Sequence, residues 1–187
     1  MIDMEMLEKK VAEFLQVLKP DYKFNPDFKD TPNRVARMYS LFFKDKDNES
    51  EEVEKILSKT FPTNNDQMII IKDIECFGMC PHHLLPIIYN IDIGYIPNGL
   101  ALGLSKFARL AICLSKYPKL QENFTTEITV SINKYLKPKG VMVVVNGLHG
   151  CMRCRGVEMN SSTVTSDIIG TFKTQLQSRQ EFLELIK

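Results

Sequence analysis

Cys80, Pro81, His82 and His83 follow one another directly, and His149 and Cys151 recur far along the chain. The two residues between Cys80 and His83 let a tight turn aim a thiolate and an imidazole at one ion. All 3 histidines of the protein fall in these two segments, each beside a cysteine. A solitary histidine is most often a satisfied surface or core residue; every histidine standing beside a cysteine points instead to a metal. Two zinc arrangements compete. Cys151-Met152-Arg153-Cys154 supplies a Cys-x-x-Cys pair that, with Cys80 and His83, closes a structural Cys3His site. Cys80, His83 and Cys151 alone leave the fourth position to water, the catalytic pattern. Spacing slightly favours the first arrangement. The spare His82 and His149 favour the second, because a structural site has no use for them.

A second set of residues could meet an anion and a pair of hydrogen-bond donors. Gly103-Leu104-Ser105-Lys106 and Arg109 stand at the expected start of a helix, where backbone N–H groups attract anions and Lys106 and Arg109 share a face. In isolation such a motif more often means an ordinary helix with exposed charges. Gln121-Glu122 opens the next expected helix. A carboxylate there can accept paired hydrogen bonds from adjacent donors, such as guanine's ring N–H and exocyclic amine; a plain helix start is the blander alternative. Arg155 follows the second cysteine pair, and Arg34 and Arg37 share a face of an earlier helix. Clustered cations of this kind suit a triphosphate, although exposed helical arginines are common. There is no P-loop, no Gly-x-Gly-x-x-Gly, no zinc-deaminase signature and no Gly-x-Ser-x-Gly elbow. Cys76 and Cys113 read as small apolar residues without a chemical role.

The elements that must position these groups follow from periodicity. Residues 3–18 carry Met6, Val11, Phe14, Leu15 and Leu18 at helical spacing, and Asp30-Thr31-Pro32 opens a second helix. The acidic run from Glu49 begins a third. From about residue 66 the pattern changes: MIIIKDI and IIYNIDIGYI read as strands, with a turn at Pro97-Asn98-Gly99. Helices are expected over about 104–117 and 120–136, a strong strand over GVMVVVNGL, a weaker strand over about 153–160, and a last helix from Phe172. This order predicts an α+β fold, an antiparallel sheet with helices grouped on one face. The composition shift predicts a helical region at 1–65 and the main domain at 66–187.

Composition bounds the rest. The chain has 187 residues, 44% hydrophobic and 25% charged, which excludes a disordered, collagen-like or coiled-coil chain. With 24 basic and 23 acidic residues the net charge is +1, giving no global argument for nucleic acid or an anionic membrane. No apolar run is long enough to span a bilayer. An odd count of 5 cysteines favours reduced thiols or metal ligands over a disulfide framework, so the expected location is the cytoplasm.

The ordered set Cys80-x-His82-His83, Tyr95-Ile96-Pro97, Gly103-Leu104-Ser105-Lys106 with Arg109, Gln121-Glu122, His149-x-Cys151-Met152 and Arg155-Gly156-Val157 resembles GTP cyclohydrolase I. Asp30-Thr31-Pro32-x-Arg34-Val35-Ala36 and the polar stretch Ser161 to Thr165 extend the likeness. The resemblance implies a tunnelling fold, with two helices on one face of an antiparallel sheet, assembled as a toroidal homodecamer with sites at subunit interfaces. It implies conversion of GTP and water to formate and 7,8-dihydroneopterin triphosphate. Carried over by position, Cys80, His83 and Cys151 would hold zinc, which activates the water that attacks C8 of guanine. His82 would serve the opening imidazole ring and His149 the ribose. Glu122 with Gln121 would read the guanine edge. Ser105, Lys106, Arg109 and Arg155, with Arg34 and Arg37 from a neighbouring subunit, would hold the triphosphate. The chain departs from the family at Pro81 (usually Glu), at Asn123 (usually Arg) and in the added thiol of Cys154. Two alternatives stand beside this expectation: a zinc-stapled binding module of the same fold without the activity, and a related enzyme acting on another purine nucleotide.

Overall fold

The computed structural model describes residues 2–43 and 48–187. Two compact units emerge, Met1–Lys46 and Asp47–Lys187. In the first, α1 (Met4–Leu18) is capped by Asp3, whose Oδ1 accepts the Met6 N–H at 2.9 Å. A 3-10 turn at Tyr22–Phe24 leads to α2 (Thr31–Phe42), which carries Pro32 in its first turn. The Asn33 amide donates to Glu8 at 2.7 Å and ties α2 to α1. Tyr22 and Ala36 are buried, whereas no residue of α1 is.

The second unit runs α3 (Glu49–Leu57), β1 (Thr60–Pro62), β2 (Ile69–Met79), β3 (Pro86–Ile96), β4 (Leu100–Leu102), α4 (Ser105–Ser115), α5 (Gln121–Leu136), β5 (Gly140–His149), α6 (Gly150–Arg153), β6 (Thr163–Gly170), α7 (Thr171–Thr174) and α8 (Leu176–Leu185). Its centre is a 4-stranded antiparallel sheet in the order β2-β3-β5-β6. Period-2 alternation on β3 and β5 sends Tyr89, Ile91, Ile93, Val141, Val143 and Val145 into one core. There they meet Phe107, Leu110 and Leu114 of α4 and Phe124, Ile128 and Ile132 of α5. The α+β class and the pair of helices on one sheet face are therefore as the sequence predicts. Phe172 and Phe182 pack with Met142 and Val144 on the opposite face, so the chain's last helices cover part of it. Val53 and Leu57 place α3 in the main core.

Three local features differ from expectation. The strand expected over 153–160 is a short helix and a loop: Gly156 and Glu158 adopt φ of 66° and 49°, which break extended pairing. Val157 and Met159, the apolar signal for that strand, are 65% and 57% exposed. The fourth strand comes later, over the β-branched stretch of β6. β2 also runs past its expected end at Ile74, through a bulge at Lys72-Asp73 where Asp73 takes φ 56° and donates its N–H to Asp92 Oδ1 at 3.0 Å. β1 and β4 form a 2-stranded sheet with no clear signature in the sequence.

Candidate active site

The extension of β2 delivers Cys80 to the end of the sheet. The next residues turn back sharply: Cys80 N–H donates to Leu85 O and Leu84 N–H donates to Cys80 O, each at 2.9 Å. Leu84 accepts a φ of 52°, local strain of the kind that persists where the surroundings over-determine a site. Pro81 supplies the fixed φ that starts this turn. In the adjoining ladders Met79 pairs with Pro86 and Ile87 with His149, which brings the end of β5 beside the turn. α6 follows at once and presents Cys151.

The result is a cavity of about 210 Å³ whose lining includes Cys80, His82, His83, Glu122, His149 and Cys151. The Cys80 Sγ lies 3.7 Å from His83 Nδ1 and 3.9 Å from Cys151 Sγ. A tetrahedral zinc with Zn–S of about 2.3 Å and Zn–N of about 2.0 Å sets its ligands about 3.5 Å (S···N) and about 3.8 Å (S···S) apart. Both separations from Cys80 match that ion, and all three donor atoms lie within 4.8 Å of one another. Cys154 is exposed and is not part of the donor group. Burial and the adjoining Cys80 thiol hold the Cys151 thiol above its ordinary pKa, with the charge of Arg155 opposing. A divalent cation held there would relieve this crowding, because thiols ligate as thiolates. Burial pushes Cys76 up to about 11 and Cys113 up to about 12, which suits inert apolar thiols.

Gln121 and Glu122 reach the cavity from the first turn of α5 and behave differently. Gln121 is 3% exposed, and its amide bonds Val145, Thr163, Thr165 and His149. Glu122 is exposed, and among the described residues no hydrogen bond or ion pair holds its carboxylate. Burial holds the His149 imidazole below its ordinary pKa, with Glu122 opposing. His82 and His83 meet edge to face, their ring centroids 6.2 Å apart.

The anion-binding candidates lie outside this cavity lining. Ser105, Lys106 and Arg109 begin α4, with Ser105 and Arg109 exposed, and Arg155 is exposed in the loop after α6. Arg34 and Arg37 are exposed on α2 of the first unit, Arg34 lying 3.8 Å from Asp30. The structure adds Lys119, 9% exposed in the cavity wall, whose ammonium pairs with Glu49 at 3.4 Å and with Glu127. It also adds Thr125 and Thr165, which bear on the cavity through Gln121. Thr165 falls in the polar stretch Ser161 to Thr165, but its contact with Thr125, like that of Lys119 with Glu49, joins separate elements and leaves no spacing signal.

The family profile described as GTP cyclohydrolase I matches residues 7–187. A GTP cyclohydrolase 1 from Desulforamulus reducens is 43% identical over 188 residues, covering 100% of this chain and 98% of that protein. One from Clostridium kluyveri is 39% identical over 186 residues, covering 97% and 99%. A solved apo structure of an archaeosine synthase QueF-like protein aligns with TM-score 0.42 and 17% identity, covering 54% of this chain and 92% of that one. With nearly the whole chain matched, the protein is an enzyme of the GTP cyclohydrolase I family.

Proposed function

We propose that the chain hydrolyses GTP to formate and 7,8-dihydroneopterin triphosphate. The observation that carries this reading is a three-donor group in a cavity that also holds two histidines outside the donor set. A structural zinc site closes with a fourth protein ligand, whereas a catalytic one keeps a position open. Cys154, standing apart from the donors, favours the open form.

Cys80, His83 and Cys151 are the residues we assign to zinc, which when bound supplies Lewis-acid activation of water. Glu122 accepts the ring N–H and exocyclic N–H of guanine and so fixes the base in the cavity. His82 moves protons at the opening imidazole ring, and His149 does so at the ribose. Ser105, Lys106, Arg109 and Arg155 hold the triphosphate, joined by Arg34 and Arg37 of a neighbouring subunit in a homodecamer. We assign catalysis to the sheet domain of residues 66–187, into whose core α3 also packs, with residues 1–65 containing the N-terminal helical region. Thiolate ligands need reducing conditions, so the cytoplasm is the location we infer. Among the described residues no helix is long and apolar enough to cross a membrane.

Incubation of the purified protein with GTP, with formate, pterin absorbance and zinc content measured together, tests this reading. Formate released in step with pterin, by protein loaded with zinc, is the expected result. Zinc without formate would move the assignment to a binding module. Faster turnover of another purine nucleotide would move it to a different substrate.

A further inference from the structure

The groups around Gln121 fix which way its amide faces. Thr125 Oγ1 donates its single hydrogen to the backbone carbonyl of Gln121 at 2.8 Å. A 2.6 Å contact joins it to Thr165 Oγ1 of β6. Thr165 Oγ1 in turn lies 3.1 Å from Gln121 Nε2 and shares that nitrogen's two hydrogens with two backbone carbonyls. Two carbonyl oxygens, Val145 O at 3.0 Å and Thr163 O at 2.9 Å, demand a donor at the same atom. Reversing the amide would set oxygen against both carbonyls, so the nitrogen must lie on that side. Gln121 Oε1 is left facing His149 Nε2 at 2.8 Å, and an amide oxygen only accepts. His149 Nε2 must then carry a hydrogen.

We propose that Gln121 is a positioning residue that holds His149 in its Nε2–H tautomer, so that His149 handles protons at Nδ1. The inference rests on the assignment of proton transfer to His149 made above. A proton taken up at Nδ1 leaves the Nε2–H bond to Gln121 intact, and the same atom returns it. The ring therefore keeps its orientation through a cycle, as histidines oriented by a fixed acceptor do in other enzymes. The backbone is fitted to this pair. A Cβ at Gly147 would collide with Gln121 Oε1 and lie 3.2 Å from His149 Nε2, so only glycine leaves room. Gln121 thus contributes to base recognition only indirectly, since both ends of its amide are engaged.

Solid-state NMR of the zinc-loaded, 15N-histidine-labelled enzyme reads the tautomer without reference to activity, and 3 histidines keep assignment simple. A protonated Nε2 and bare Nδ1 at His149 are expected; the reverse pattern would overturn the inference while leaving the proposed reaction untouched. Gln121→Met and Gly147→Ala should each lower kcat about 10- to 100-fold, as loss of an orienting partner commonly does. KM for GTP and zinc content should change little. A raised KM with unchanged kcat would instead make Gln121 a substrate contact and refute the positioning role. Full activity in His149→Ala would overturn the role of His149 itself, and with it the catalytic meaning of the tautomer.

Discussion

Single side chains decide whether the metal site is open. The 3.7 Å and 3.9 Å separations around Cys80 define a donor triangle that Cys154 does not enter. Cys80→Ser, His83→Ala and Cys151→Ser are each expected to lose zinc, read by mass spectrometry, and activity with it. Cys154→Ser is expected to keep both; loss of zinc in that variant would support the closed Cys3His site. Glu122 carries a separate expectation. Glu122→Gln keeps the shape but turns one acceptor into a donor facing a guanine donor. Breaking a desolvated charged pair costs about 3–5 kcal/mol, so GTP turnover should collapse while zinc binding stays normal. Wild-type turnover in this variant would remove Glu122 from base recognition. Cys80, His83 and Cys151 were legible in the sequence as one of two candidate metal sets, whereas Glu122 stood out only through the family likeness. Gln121 was legible as a residue of the site, but its partners were not, since Val145, Thr163 and Thr165 come from two strands that only folding brings beside α5.

At the scale of elements, the cavity wall depends on how α3 and α5 are joined. Lys119 sits one residue before the N-cap of α5, is 9% exposed, and bridges Glu49 of α3 and Glu127 of α5. Removing Lys119 leaves Glu49 and Glu127, 18% and 37% exposed, without their shared cation, at a cost of about 1–3 kcal/mol. Lys119→Met should lower the urea midpoint accordingly, and an unchanged midpoint would show the bridge to be idle. The bulge that carries β2 on to Cys80 gives a pH-dependent expectation. Burial holds the Asp92 carboxyl above its ordinary pKa, opposed by the Asp73 N–H that it accepts. The folded state then binds that proton more tightly than the unfolded chain, so the ionised carboxylate is destabilising at neutral pH. The penalty fades once both states are protonated, below about pH 4. Asp92→Asn keeps an oxygen for the Asp73 N–H and should raise the unfolding midpoint at pH 7 but not in acid; a gain of equal size at both would refute this account. Elements with strong alternation, such as β3 and β5, were legible in the sequence. β6 was misplaced because Val157 and Met159 imitate a strand, whereas the left-handed backbone at Gly156 and Glu158 that breaks it has no apolar signature.

On the whole molecule, a stretch of apolar surface stays exposed to solvent. Met6, Phe14, Val17 and Leu18 of α1 are 51%, 64%, 80% and 66% exposed, although their spacing makes them one helical stripe. An apolar stripe left in water is the usual mark of a face that another chain covers. The cavity itself supplies metal donors, two further histidines and Glu122, yet Ser105, Lys106, Arg109 and Arg155 do not line it. A triphosphate carries charge that those residues are suited to meet, and the proposed assembly adds Arg34 and Arg37 from a neighbour. This predicts complementation between subunits. Arg37→Ala and His149→Ala homomers should each be nearly inactive. Unfolded together and refolded as mixed oligomers, they should recover GTP turnover that neither has alone, because some sites then draw an intact Arg37 from one chain and an intact His149 from the other. Light scattering on the same samples should show one large species. Mixed oligomers that stay inactive, or an active monomer, would show that each chain builds its site alone.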